Sequence, residues 1–228
     1  MSDDRGDWRM KQFENLSKEI GNAMNLLKKE KFAFAGIRRY IRLDDEMALI
    51  DKEEADNAFK KYKKEIIDKL LLNNGFYKWK SSAYVRLNGI GLLEYIDLQK
   101  ERYGSKTFCV NFSIMPLYCE EPYMVTGLGY RLGTYICGKD VWWDYGSERV
   151  ARESFENVSE AITQFIFPWF FELSTEENYK KRLIEDSAKK FAGYHVSQWL
   201  EALTVEDKEH LMQESINRLK LPKKLLKI

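Results

Sequence analysis

From Thr107 to Met115 the side chains fall into two alternating sets. Phe108, Val110, Phe112 and Ile114 make one set, and Thr107, Cys109, Asn111 and Ser113 make the other. Successive side chains of a β-strand point to opposite faces, so a period of two means a strand with one apolar and one wetter face. The same rhythm runs through Ala83, Val85 and Leu87, which alternate with Tyr84 and Arg86, and through Leu92, Ile96 and Leu98, with Glu94 as the exception. Asn88-Gly89 lies between the first two runs and predicts a two-residue hairpin, because both central positions of a type I′ turn need positive φ. Tyr103-Gly104-Ser105 reads as the next turn. Arg131 to Cys137 reads as a further strand, stopped at Gly138-Lys139-Asp140. Connections this short join neighbouring antiparallel strands, so the expected sheet is a meander of four to six strands.

Helical spacing flanks this region. Phe13, Leu16, Ile20, Ala23, Met24 and Leu27 form one stripe, while Phe32 to Leu43 fits a helix or an extended piece. Asp51 and Glu54 open a helix carrying Ala55, Phe59, Tyr62, Ile66 and Leu70, which ends at Asn73-Asn74-Gly75. Phe155, Val158, Ile162, Phe165 and Ile166 form another, with Pro168 expected to break it. Ser174 to Glu177 reads as a capping box for a helix ending near Gly193. Thr204 to Asp207 opens a last helix with Leu211, Met212, Ile216 and Leu219, stopped by Pro222, and the tail from Leu219 to Ile228 is expected to fray. Helices, then strands, then helices make an α+β fold, the sheet packed against its flanking helices. Three parts are expected: a helical N-terminal extension over 1–50, an α+β core over 51–173, and a helical C-terminal extension over 174–228 that packs on the core.

With 228 residues, 44% of them hydrophobic and 14% aromatic, the chain is long and apolar enough to bury a sizeable core. Lys and Arg number 37 against 36 Asp and Glu, which leaves no overall field to draw in nucleic acid. Three cysteines without a CxxC pair argue against a disulfide framework or a zinc knuckle and fit reduced thiols in a cytoplasmic protein. The first residues, MSDDRGDW, lack the apolar stretch of a secretory leader. No run approaches the ~20 apolar residues of a membrane helix.

One set of residues resembles a known family. Gly75-Phe76 closes a helix, Tyr84-Val85-Arg86 makes an aromatic-arginine strand, and Ile96 to Lys100 and Phe108 to Phe112 follow. Trp142-Trp143 and Phe167-Pro168-Trp169 complete the pattern. In order and spacing these resemble the bacterial family called domain of unknown function 4304, over roughly residues 53–173. The resemblance implies a compact α+β domain, and it brings no catalytic residue with it.

If Phe108 and its set face the core, the opposite sheet face displays Arg86, Asp97, Gln99, Asn111 and Arg131, with Tyr84 and Tyr95 nearby. Converging Arg, Asn and Gln can grip a phosphate or carboxylate by forked hydrogen bonds. The competing reading is the ordinary wet face of an antiparallel sheet. Of Trp142 and Trp143, one is expected in the core and the other half-covered; Trp143 is taken as a candidate contact residue. The run Arg38-Arg39-Tyr40-Ile41-Arg42 reads as a solvated face beside Asp44, Asp45 and Glu46. His195 and His210 lack zinc spacing, no nucleophile elbow surrounds any serine or cysteine, and the Gly-x-Gly pairs do not continue into phosphate loops. No catalytic residue, metal ligand or cofactor is therefore assigned. The expected function is a non-enzymatic protein-binding module, for example an immunity-type toxin neutraliser, with Arg86, Asp97, Gln99, Asn111, Arg131 and Trp143 as its contact residues. The alternative is an enzyme or small-ligand binder taking an anionic substrate on the polar sheet face. The partner expected is another protein rather than nucleic acid or membrane, and the chain itself a monomer or homodimer.

Overall fold

A computed structural model describes residues 52–118, 128–189 and 204–226. The stripes expected before residue 51 and the basic run at Arg38 lie outside the described residues, as do His195 and the helix end near Gly193. The chain enters as α1 (Lys52–Tyr62), passes through a π-helical turn (Lys63–Asp68) and continues as α2 (Lys69–Asn73). Gly75, at φ +80, then turns it into the sheet. Six strands follow: β1 (Tyr77–Lys78), β2 (Ala83–Leu87), β3 (Leu92–Lys100), β4 (Thr107–Pro116), β5 (Leu128–Arg131) and β6 (Trp143–Asp144). They pair antiparallel in the order β1-β2-β3-β4-β5, and β6 also lies on β4, against Thr107 and Phe108. The expected α+β meander is the observed one.

One sheet face is covered by helices and holds most of the core. Phe108, Val110, Phe112 and Ile114 of β4 meet Ala55 and Phe59 of α1 and the long helix after β6. That helix runs as α4 (Glu148–Ala161), a second π turn (Ile162–Ile166) and α5 (Phe167–Glu172). Phe108 stacks on Phe155 at 4.8 Å and meets Phe59 edge-on at 5.4 Å, which knits strand and both helices into one aromatic cluster. Pro168 does not break this helix. Proline has no N–H to give the carbonyl four residues back, at Gln164, and the π turn spans that residue.

The opposite face carries a second, smaller apolar cluster. Val85, Leu87, Leu93 and Met115 of the sheet, with Leu117 just past β4, are buried under Ile216, Leu221 and Leu225. Ile216 belongs to α7 (Val205–Leu219), which begins with the expected capping box between Thr204 and Asp207. The tail beyond it is docked rather than frayed. Lys220 turns the chain at φ 52, Leu221 and Leu225 enter the cluster, and the Trp79 indole donates to the carbonyls of Leu219 and Lys220.

Three local expectations change. The β2–β3 connection is not a two-residue turn: the Gly91 amide donates to the Asn88 carbonyl, and the positive φ of +81 falls on Gly91. Such a three-residue loop pairs a type I turn with a left-handed residue. Second, the strand ends at Arg131, and α3 (Leu132–Cys137) follows it, burying Leu132 and Ile136 and closing on left-handed Gly138. Third, α6 (Glu176–Lys189) starts one residue later than expected, with the Asn178 amide donating to the Thr175 hydroxyl.

Candidate functional site

Four of the predicted residues share the second sheet face, beyond the patch that α7 covers. Ala83, Asp97, Asn111 and Arg131 are direct cross-strand neighbours over β2, β3, β4 and β5, so the last three form one polar row. Gln99 lies one step along, opposite Cys109. The Asn111 amide donates to Gln99 Oε1 at 3.0 Å and reaches Asp97 Oδ2 at 3.5 Å. Arg131 is ion-paired to Asp140 and lies 5.4 Å from the centre of the Trp142 ring. Tyr95, on the same face, meets Trp79 edge-on at 6.2 Å.

All four of these residues are half-buried. Burial pushes the Asp97 carboxyl above its usual range, although Asn111 and Lys80 pull the other way. Burial also pushes the Cys109 thiol up to about 11, which makes it a poor nucleophile at neutral pH.

Arg86 and Trp143 are not part of this row. Arg86 pairs with Glu94 on the helix-covered face, because the parity that puts Tyr84 in the core carries Arg86 with it. Its Nε donates to Glu94 at 2.5 Å, its Nη1 donates to the Asn74 carbonyl at 2.7 Å, and its guanidinium lies over Phe76 at 4.6 Å. Glu94 is buried there, with its carboxyl pushed up by burial. Trp143 pairs with Phe108, so it too points into the core, and its indole donates to Asn157 at 2.8 Å. Both residues are structural ties between sheet and helices.

A second polar cluster had no warning in the expected helical stripe. Lys63 is buried, and its Nζ donates to Asp68 Oδ1 at 3.1 Å and to the Tyr84 hydroxyl at 3.4 Å. Tyr84 in turn donates to Asp68, and Lys78 donates to the other carboxylate oxygen at 3.0 Å. Residues five apart diverge around an α-helix but come together in a π turn, whose hydrogen bonds span five residues. Lys63 and Asp68 are the two ends of that turn.

Residues 67–172 match the family model of DUF4304, a domain of unknown function. This DUF4304 segment includes the whole sheet, Asp68, Lys78 and the polar row, and excludes Lys63 and α7. No curated protein and no solved structure matched the chain. Among the described residues, no group of three His, Cys, Asp or Glu could hold a metal ion, and no helix is long and apolar enough to cross a membrane.

Proposed function

We propose that this chain is a protein-binding module and that the polar row on the second sheet face meets its partner. The observation that carries the reading is the alignment of Asp97, Asn111 and Arg131 across three strands, with their side chains held by one another and by neighbours. Prepositioned groups lose little freedom on binding, and Trp, Tyr and Arg at the rim are the residue types that interfaces favour. The fitting partner presents lysine, arginine or asparagine side chains to Asp97 and Gln99. A toxin held by an immunity-type protein is one such partner.

A small anionic ligand fits this face less well. Arg131 is the arginine of the row, and Asp140 already occupies it. Asp97 adds a carboxylate that repels an anion.

The test is co-expression with the product of an adjacent gene, followed by co-purification and titration calorimetry. Gln99→Lys and Arg131→Glu are expected to weaken the complex at least tenfold, with Arg149→Glu on the exposed side of α4 as the control. Equal binding by all three variants would place the interface elsewhere, and failure of adjacent products to bind would count against the module itself.

A further inference from the structure

Lys63, Asp68, Tyr84 and Lys78 gather two ammonium groups on one carboxylate, inside the wall between helix and sheet edge. The arrangement is lopsided. Lys78 keeps 44% of its side chain exposed, whereas Lys63 keeps 9% and Asp68 13%. Asp68 can balance one positive charge, and the two lysines take one oxygen each. Of the pair, the solvated ammonium of Lys78 holds its proton the more easily, so Lys63 is the lysine that the site holds less firmly charged. Burial indeed lowers the Lys63 amine from its ordinary 10.5, and the Asp68 contact opposes this without cancelling it. A desolvated lysine beside a second cation is the usual way in which a protein prepares a nucleophilic amine.

We propose that Lys63 is a covalent site for small aldehydes or ketones, which it takes up as an imine. The Nζ lone pair forms the new N–C bond to the carbonyl carbon, and the carbonyl oxygen takes a proton from the Tyr84 hydroxyl. The amine proton passes to Tyr84, to which Nζ already donates. Tyr84 then protonates the carbinol oxygen, the C–O bond breaks with loss of water, and the remaining N–H proton returns to Tyr84. Amine plus carbonyl gives imine plus water, with no oxidant or reductant required. Tyr84 is placed for the donor role by its hydroxyl 3.4 Å from Nζ, and burial and Asp68 keep that hydroxyl protonated at neutral pH. The Lys63 side chain is 9% exposed, which restricts its reaction to small carbonyl compounds.

The test is reductive alkylation of the full chain with glycolaldehyde and cyanoborohydride, mapped peptide by peptide between pH 6 and pH 10. Lys63 is expected to label severalfold faster at pH 7 than exposed Lys64, since an amine held below its ordinary range carries more free base. Removing the second cation in Lys78→Met should slow Lys63 labelling at pH 7. Removing the carboxylate in Asp68→Asn should speed it. Labelling of Lys63 no faster than Lys64, or faster labelling in Lys78→Met, would make the cluster a structural ion pair only and overturn the proposal.

Discussion

Arg86 and Glu94 face each other across β2 and β3 on the helix-covered side of the sheet, each the other's compensation for burial. Removing one partner of such a pair leaves the other uncompensated, with a typical loss of about 3–5 kcal/mol. Arg86→Ala is therefore expected to lower the urea midpoint sharply. Arg86→Met combined with Glu94→Leu should recover much of the loss, because matched apolar replacements leave no buried charge. Equal destabilisation by the single and double variants would mean that the stacking of Arg86 on Phe76, not the ion pair, is what matters there.

Glu94 and Asp68 should pull the acid stability profile in opposite directions. Burial raises Glu94, so its contribution is fully present below the unfolded value near 4.5 and is lost as pH rises through the folded one. Burial also pushes Asp68 upward, but hydrogen bonds from Tyr84, Lys78 and Lys63 outweigh it, and the carboxyl ends below its usual 3.8. Its contribution is present above 3.8 and disappears as pH falls through the folded value. Asp68→Asn should thus differ most from the parent near pH 6 and converge on it as pH falls below 3.8 in urea titrations. A constant gap across that range would mean that Asp68 does not titrate against folding.

The β2–β3 loop separates two neighbouring glycines. A Cβ on Gly91 would sit at φ +81 and 2.8 Å from Met212 Sδ, while a Cβ on Gly89 meets nothing within 4 Å. Gly91→Ala should cost about 1–3 kcal/mol from the backbone conformation alone. Gly89→Ala should be neutral or stabilise by up to about 1 kcal/mol through the unfolded state. Thermal unfolding of the two variants decides it, and the reverse order would restore the two-residue turn at Asn88-Gly89.

The strands β2, β3 and β4 were legible because each carries a period of two bounded by turn residues. Asp97, Gln99, Asn111 and Arg131 followed from it, since all four occupy the parity opposite Phe108. Arg86 was assigned to the wrong face, because faces must be aligned between strands and a one-residue error inverts them. Its partner Glu94 was the visible clue, an acid on the apolar side of β3 that needs a cation. The segment Arg131 to Cys137 alternates well enough to pass for a strand, yet Leu132 and Ile136 are four apart and Gly138 follows, the pattern of one helical turn with its cap. Gly133 lets that helix close in, since a Cβ there would fall 2.4 Å from the Val141 nitrogen. Lys63 was invisible for a different reason: its burial depends on a π turn, and the stripe through Ala55, Phe59 and Tyr62 is read with α-helical spacing.

The C-terminal helix should prove integral to the sheet. Ile216 is 1% exposed between Val85, Leu93 and Met115, so truncating it removes packed methylenes from both sides of the contact. Ile216→Ala is expected to lower stability by about 2–5 kcal/mol, the range for a large core aliphatic. Thr204→Ala, which removes the cap at the far end of α7, should lower it by about 1 kcal/mol. Ending the chain before Thr204 would bare the apolar patch of Leu87, Leu93, Met115 and Leu117, and the product should bind a hydrophobic dye and associate. A truncated chain that stays monomeric, with an unchanged unfolding midpoint, would show that the sheet does not need α7 over its second face.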